Sequence, residues 1–139
     1  PIRADVKLSL DQVKVAFKGP QTEAQMRTLY SKAAIYAATA RYEPFSMNAL
    51  EAAFSRCAII ANDIPSLREM WGESAFYFHA NSAASLADAI RRLGDEPELC
   101  RNYATLAYQR ARERFTAKRM IDDYLALYHH LIARESVAA

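Results

Sequence analysis

Cysteine and histidine are scarce in this chain of 139 residues, and their scarcity argues against two kinds of site. The two cysteines, Cys57 and Cys100, lie far apart in the sequence, so we expect no disulfide framework of the kind found in small secreted domains. Cys57 stands within a short apolar run and is predicted to be a small core residue. The three histidines form no cluster with the cysteines, which gives no support to a zinc site.

Long apolar runs and an excess of one charge are also missing. No run approaches the roughly 20 apolar residues that span a bilayer, and residues 1–12 do not read as a secretory signal. The net charge is +2, with basic residues spread among acidic ones, which is unlike a nucleic-acid-binding surface. We therefore expect a cytoplasmic protein. Because the first residue is Pro1 and not Met, we also expect a piece of a longer parent.

The chain contains a regular alternation of short apolar runs with helical stretches. Strands are predicted near 13–17, 33–37, 57–61 and 75–78, and the fully apolar run 57–61 is typical of a strand covered on both faces. Capping and breaking residues predict the helices between them. The predicted helices are one after Thr22 with Gln25 completing a capping box, one over 46–55, one from Pro65 to Trp71 closed by Gly72, one capped by Ser82 or Ser85 and stopped by Gly94, one from Glu96–Pro97 to about Phe115, and one capped by Thr116.

This order of elements predicts the fold class. About four strand–helix units followed by two extra C-terminal helices indicate a single α/β domain over 1–139, with a Rossmann-like parallel sheet and helices on both faces. In such sheets ligands bind at the carboxyl ends of the strands. The loop 39–45 follows a predicted strand and leads into a helix, so we expect it at that edge.

Two glutamates flank this helix start, separated by seven residues: Glu43 precedes the helix and Glu51 lies within it. A helix N-terminus binds anions through its free N–H groups, and a nearby carboxylate is suited to accept hydrogen bonds from hydroxyls beside a bound phosphate. The combination points to a nucleotide-diphospho-sugar. Two plainer interpretations stand beside it: Glu43 paired with Arg41 at the surface, and Glu51 as a solvated helix residue.

The sequence from Ala40 to Gly72 reads ARYEPFSMNALEAAFSRCAIIANDIPSLREMWG. It resembles the C-terminal donor domain of retaining GT-B glycosyltransferases of family 4, or group 1. An E-x7-E motif, a helix rich in small residues, an apolar strand and a D-x-P-x-x-x-E loop occur in the order and spacing of that family. The resemblance extends from about Val13 to Leu131, and the combined blocks are far more specific than E-x7-E alone.

The resemblance implies a role for each matched residue. Glu43 would be the catalytic group that faces the transferred sugar, and Glu51 would bind the ribose diol of the nucleotide. The backbone N–H groups of Phe45, Ser46 and Met47 would hold the diphosphate. If the helix terminus and basic residues neutralise the leaving diphosphate, no metal and no cofactor is needed beyond the donor substrate, a UDP-, GDP- or ADP-sugar.

The resemblance also places Gly19 and Pro20 near the nucleotide base. Four residues depart from the family pattern: Pro44 and Ser46 stand in the site loop, where glycine is usual, and Arg56 and Ala58 stand where glycine and proline usually precede the next strand. Pro44 cannot donate an N–H, and Ser46 would be strained if the loop required a positive φ. The family's basic pair that clamps the diphosphate has no convincing counterpart in this chain.

We therefore predict the donor-binding part of a hexosyltransferase that retains anomeric configuration. The N-terminal acceptor domain, which would bind a glycan, lipid or small-molecule acceptor, is absent, and the isolated chain would be inactive. The parent could lie peripherally at a membrane, and the fragment could self-associate through exposed strand edges. The alternatives are a nucleotide-sugar epimerase of the same fold and a non-catalytic interaction module with a degenerate site.

Overall fold

The computed structural model describes residues 15–137, with side chains through residue 133. Its elements alternate helix and strand before a helical C-terminal part. They are α1 (Glu23–Lys32), β1 (Ile35–Ala38), α2 (Met47–Phe54), β2 (Ala58–Asn62), α3 (Pro65–Trp71), a 3₁₀ turn (Gly72–Ser74), β3 (Phe76–Phe78), α4 (Ala83–Asp95), α5 (Pro97–Arg114) and α6 (Ala117–Val137).

The three described strands form one parallel sheet in the order β1-β2-β3. Ile35 of β1 pairs with Ala58 of β2, and Ile60 of β2 pairs with Phe76 of β3. Every residue of the central strand β2 is buried, as predicted for an apolar run covered on both faces. The strand expected at 13–17 begins outside the described residues, and its described part, Val15–Phe17, is not in a strand.

Helices cover both faces of the sheet, which confirms the predicted architecture. On one face Ile59 and Ala61 pack into a cluster with residues of α1, α2, α3 and the C-terminal half of α5, including the fully buried Trp71. On the other face Ala58 and Ile60 pack against α4 and the N-terminal half of α5. Cys57 is a free, buried thiol within the first cluster, as the apolar run predicted.

Capping residues set most helix ends as the sequence predicted. Thr22 and Gln25 form the capping box of α1, and Gly72 ends α3 with φ +52°. The predicted stop at Gly94 is wrong, because α4 continues through it to Asp95. Pro97 accounts for the later end, since the residue before a proline is disfavoured in the helical conformation.

The C-terminal end of α2 is a Schellman motif with arginine in the position that glycine usually occupies. The N–H of Cys57 donates to the carbonyl of Ala52, and the N–H of Arg56 donates to the carbonyl of Ala53, each at 3.0 Å. Arg56 has φ +63°, and its guanidinium carbon lies 4.0 Å from the ring centroid of Tyr108. The departure at Arg56 therefore leaves the turn intact but places an L-residue in the left-handed region.

The last helix, α6, leaves its apolar stripe exposed. Thr116 caps it as predicted, with its hydroxyl accepting from the N–H of Arg119 at 3.3 Å. The predicted stripe is one-half or more exposed at nearly every position, and its members are Met120, Ile121, Tyr124, Leu127, Tyr128 and Leu131. None of the helices described is long and apolar enough to cross a membrane.

Candidate functional site

The carboxyl ends of the three parallel strands meet at one edge of the sheet, and the loop 39–46 rises from the end of β1 at this edge. Glu43 lies in this loop and is partly buried. Among the described residues it forms neither an ion pair nor a side-chain hydrogen bond, so the surface pair with Arg41 does not form. Its carboxylate is therefore free to accept hydrogen bonds from a ligand.

Ser46 ends the loop and caps α2. Its side chain is buried, and its hydroxyl accepts from the N–H of Ala49 at 3.4 Å. The N–H groups of Met47 and Asn48, one and two residues into the helix, have no intrahelical acceptor. Ser46 has φ −86°, so the conformation adopted here does not need glycine at this position. An N-terminus with free donors thus opens beside Glu43.

Glu51 lies in the second turn of α2, on its solvent side, while Leu50, Ala52 and Ala53 are buried. Like Glu43, it has no ion-pair or hydrogen-bond partner among the described residues. The exposure is compatible both with a solvated glutamate and with a ligand-binding one. What the fold adds is that the same short helix carries Glu51 and begins beside Glu43.

The charges of the two glutamates affect nearby tyrosines: both act on Tyr36, and Glu51 acts on Tyr30. Burial raises the pKa of the Tyr36 phenol; a hydrogen bond with the Ser46 side chain opposes that rise, and the charges of Glu43 and Glu51 add to it. Burial also raises the pKa of Tyr30 to about 12, and the rings of Tyr30 and Tyr36 meet edge to face with centroids 6.0 Å apart. The glutamates and the helix start thus share one electrostatic neighbourhood on β1.

The other predicted site residues lie in two segments, the end of the loop 39–46 and the turn before α1. Phe45 is 44 % exposed, and its ring stacks edge to face on Phe115 with centroids 5.6 Å apart. Gly19, with φ +64°, and Pro20 form an exposed turn before α1, where the side chain of Gln21 donates to the Lys18 carbonyl at 2.6 Å.

A cavity of about 550 Å³ lies beside the start of α2. Phe45, Met47 and Leu50 form one wall, and residues from the end of α5 and the first turns of α6 form the other. The lining is mainly apolar, with Arg114 and Asp123 as its charged members. A smaller cavity of about 180 Å³, on the other side of Phe45, is also lined by Arg114.

The sequence analysis did not identify the contribution of Asn62. Asn62 is the last residue of β2, and its side chain is fully buried. Its Nδ2 donates to the Ala40 carbonyl at 3.0 Å, and its Oδ1 accepts from the N–H of Asn81 at 3.0 Å. The one available signal was a polar residue at the end of an otherwise apolar run.

The structure also shows a charged pair next to Asn62, formed by Asp63 and Arg68. Arg68 donates to both carboxylate oxygens of Asp63, at 2.7 and 2.8 Å, and lies 3.7 Å from the ring centroid of Tyr77. The hydrogen bond from Arg68 lowers the pKa of Asp63. Asp63, the first residue of the D-x-P motif, is therefore already paired with Arg68, and this pair holds the start of α3.

Comparison with known proteins identifies the family of this chain. Residues 7–110 match the family model described as glycosyl transferases, group 1. The alpha-maltose-1-phosphate synthase of Mycolicibacterium smegmatis is 25% identical over 117 residues, which cover 78% of this chain and 30% of the synthase. The lipopolysaccharide core biosynthesis mannosyltransferase LpcC of Rhizobium leguminosarum bv. viciae is 26% identical over 133 residues, covering 94% of this chain and 37% of that enzyme.

A solved structure gives the same result. Sucrose-phosphate synthase from Thermosynechococcus elongatus superposes with a TM-score of 0.75 at 25% identity, over 86% of this chain and 31% of that one. The chain thus spans about a third of the length of each of these relatives. Its three parallel strands with helices on both faces are a Rossmann-like part of the GT-B fold. The family match covers well over half of the sequence, and the chain belongs to the group 1 glycosyl transferases.

Proposed function

We propose that the chain is the donor-binding part of a retaining hexosyltransferase, and that it binds a UDP-, GDP- or ADP-sugar. The observation that supports this most directly is the start of α2, where free N–H groups follow Glu43 on a helix that also carries Glu51, and neither carboxylate has a described partner. Two relatives, a mannosyltransferase and a maltose-1-phosphate synthase, support sugar chemistry. The acceptor would bind to a further domain of a longer, cytoplasmic or membrane-peripheral parent.

In this proposal the diphosphate lies at the N-terminus of α2. The N–H groups of Phe45, Ser46 and Met47 point toward the anion, and the positive end of the helix dipole stabilises it. The same interactions stabilise charge that develops on the leaving diphosphate, so that part of the catalysis is electrostatic. We propose that this arrangement works without a metal ion.

The two glutamates then hold the two hydroxyl-rich ends of the donor. Glu51 accepts hydrogen bonds from the ribose diol, and Glu43 accepts them from hydroxyls of the sugar. Glu43 also stabilises positive charge near the anomeric carbon in an oxocarbenium-like transition state. Because both carboxylates are fixed relative to one short helix, the donor is positioned along its whole length. Gly19 and Pro20, at the start of α1, lie on the side proposed for the base.

Calorimetric titration of the 139-residue chain with UDP, GDP and ADP tests the proposal. We expect one nucleotide to bind, and Glu51→Ala to weaken its binding about tenfold or more, because hydrogen bonds to a charged group contribute about 1.5–3 kcal/mol. Glu43→Gln should leave the affinity for the nucleotide unchanged and weaken that for the matching nucleotide-sugar.

Glu98→Gln provides the matched control, because Glu98 is an exposed glutamate in the first turn of α5, whose N-terminal half packs on the opposite face of the sheet from α2. It should leave both affinities unchanged. If a folded chain binds none of the three nucleotides, or if Glu51→Ala binds as well as the native chain, the assignment of this site is wrong.

A further inference from the structure

Asn62 connects the loops that follow β1 and β3. Besides its bonds to the Ala40 carbonyl and the Asn81 N–H, its Nδ2 lies 3.3 Å from Oδ1 of Asn81. All these contacts cross from the central strand to its two neighbours at the carboxyl edge of the sheet. The side chain therefore fixes the spacing of both flanking loops at the edge where the proposed donor would lie.

A carboxamide suits these contacts, because its separate donor and acceptor reach two different segments. One partner is an acceptor and another is a donor, so the side chain must both donate and accept. Aspartate would place a carboxylate against the Ala40 carbonyl, and leucine, of similar size, would leave Ala40 and Asn81 without their partner. Because Asn62 is fully buried, water cannot readily replace the lost bonds.

The loop that carries Glu43 depends on this anchor. Of the hydrogen bonds that the described residues form outside helices and strands, the one that reaches residues 39–45 from another segment is the Asn62 bond to Ala40. Ala40 stands three residues before Glu43, and Ser46 fixes the other end of the loop as the cap of α2. Between these points, Arg41 and Tyr42 are exposed.

We propose that Asn62 is a positioning residue that holds the loop 39–45, and with it the carboxylate of Glu43, in place against the start of α2. The sugar-facing role of Glu43 in this inference rests on the proposed function. Asn62 acts through the backbone of Ala40 and is not expected to touch the donor. Asn81, with φ +62°, completes the anchor from the β3 side.

The test compares the native 139-residue chain with Asn62→Leu, Asn62→Ser and the control Asn102→Leu, which changes an exposed asparagine on α5. Backbone order parameters from NMR report the loop directly. In Asn62→Leu we expect the amides of Arg41, Tyr42 and Glu43 to fall from values near 0.85, typical of rigid backbone, to below about 0.6, while α2 stays rigid. Asn62→Ser, which keeps a donor, should give intermediate values, and the control should not change them.

Binding gives a second measurement that loss of structure alone would not produce. UDP-glucose, GDP-mannose and ADP-glucose are each compared with their nucleoside diphosphate. We expect Asn62→Leu to reduce the preference for the nucleotide-sugar over the nucleotide at least fivefold, and to change affinity for the nucleotide by less than twofold. Asn62→Ser should restore part of that preference.

Each measurement tests a different part of this inference. Unchanged loop order parameters in a folded Asn62→Leu chain would overturn the anchor, and if that variant does not fold, Asn62→Ser is judged by the same criterion. A mobile loop with an unchanged preference for the nucleotide-sugar would overturn the link to Glu43. If the native chain binds no nucleotide, the proposed function and the sugar-facing role fail together, while the order parameters still decide the anchor.

Discussion

Arg56 allows a direct measurement of the backbone strain at the end of α2. With φ +63°, its conformation costs an L-residue about 1–2 kcal/mol relative to the right-handed region. Glycine avoids this steric cost. Its greater conformational freedom in the unfolded chain, however, lowers the free energy of unfolding by about 0.5–1 kcal/mol relative to alanine. We therefore expect Arg56→Gly to be more stable than Arg56→Ala by about 0.5–1 kcal/mol.

The stacking of Arg56 on Tyr108 determines how stable the native chain is relative to these two variants. Both substitutions remove the guanidinium from the ring, 4.0 Å away, and such an exposed contact contributes about 0.5–1 kcal/mol. Arg56→Ala should therefore have a free energy of unfolding lower than that of the native chain by roughly that amount. Arg56→Gly should lie within about 0.5 kcal/mol of the native chain, because relief of strain offsets the lost contact.

Urea unfolding followed by circular dichroism measures these differences, and Arg101 supplies the control. Arg101 is exposed in the interior of α5, where glycine is about 1 kcal/mol less favourable than alanine. The order of the glycine and alanine variants should thus be reversed between positions 56 and 101. If glycine is less stable than alanine at both positions, the left-handed conformation of Arg56 is not a source of strain.

The remaining predictions concern the stability and pH dependence contributed by a pair of tyrosines, and the association of the chain through the last helix. Tyr30→Phe should stabilise the chain by about 1 kcal/mol, because it removes a buried hydroxyl with no described partner. Tyr77→Phe should destabilise it by about 1 kcal/mol, because that hydroxyl donates to the Gly72 carbonyl at 2.8 Å. Urea unfolding at pH 7 measures both, and two changes of the same sign would contradict the expected contrast. Burial raises the pKa of both tyrosines to about 12, above the ordinary value of 10, so above pH 10 the unfolded chain loses these protons before the folded chain does. The free energy of unfolding should therefore fall by on the order of 2 kcal/mol for each tyrosine between pH 10 and 12; each phenylalanine variant should show a smaller alkaline loss, and an unchanged pH profile would refute this. We also expect the isolated chain to self-associate, and Leu127→Lys on the exposed stripe of α6 to weaken association; light scattering that shows a monomer at all concentrations would contradict this expectation.

The parts of the fold that the sequence predicted are those set by short-range chemistry. The capping box at Thr22 and the apolar run of β2 each depend on neighbours within a few residues, and both are confirmed. The error at Gly94 arose from competition between two local signals. A glycine inside a helix costs about 1 kcal/mol relative to alanine, which the packing of α4 can offset, whereas Pro97 restricts the backbone of the residue before it. The proline therefore determined the end of the helix.

The candidate site divides in the same way. The position of Glu51 relative to Glu43 follows from the start of one helix and from helical periodicity, so a short motif was enough to relate them. The contacts of Asn62 span 22 residues to Ala40 and 19 to Asn81, and they exist only because parallel pairing brings three strand ends to one edge. Sequence alone could identify the groups suited to bind a donor, but the side chain that holds their loop in place is defined by the register of the sheet. A one-residue shift in the pairing of β2 would reverse which face each of its side chains occupies and would turn Asn62 away from Ala40. The geometry proposed for Glu43 therefore depends on the buried strand as well as on its own loop.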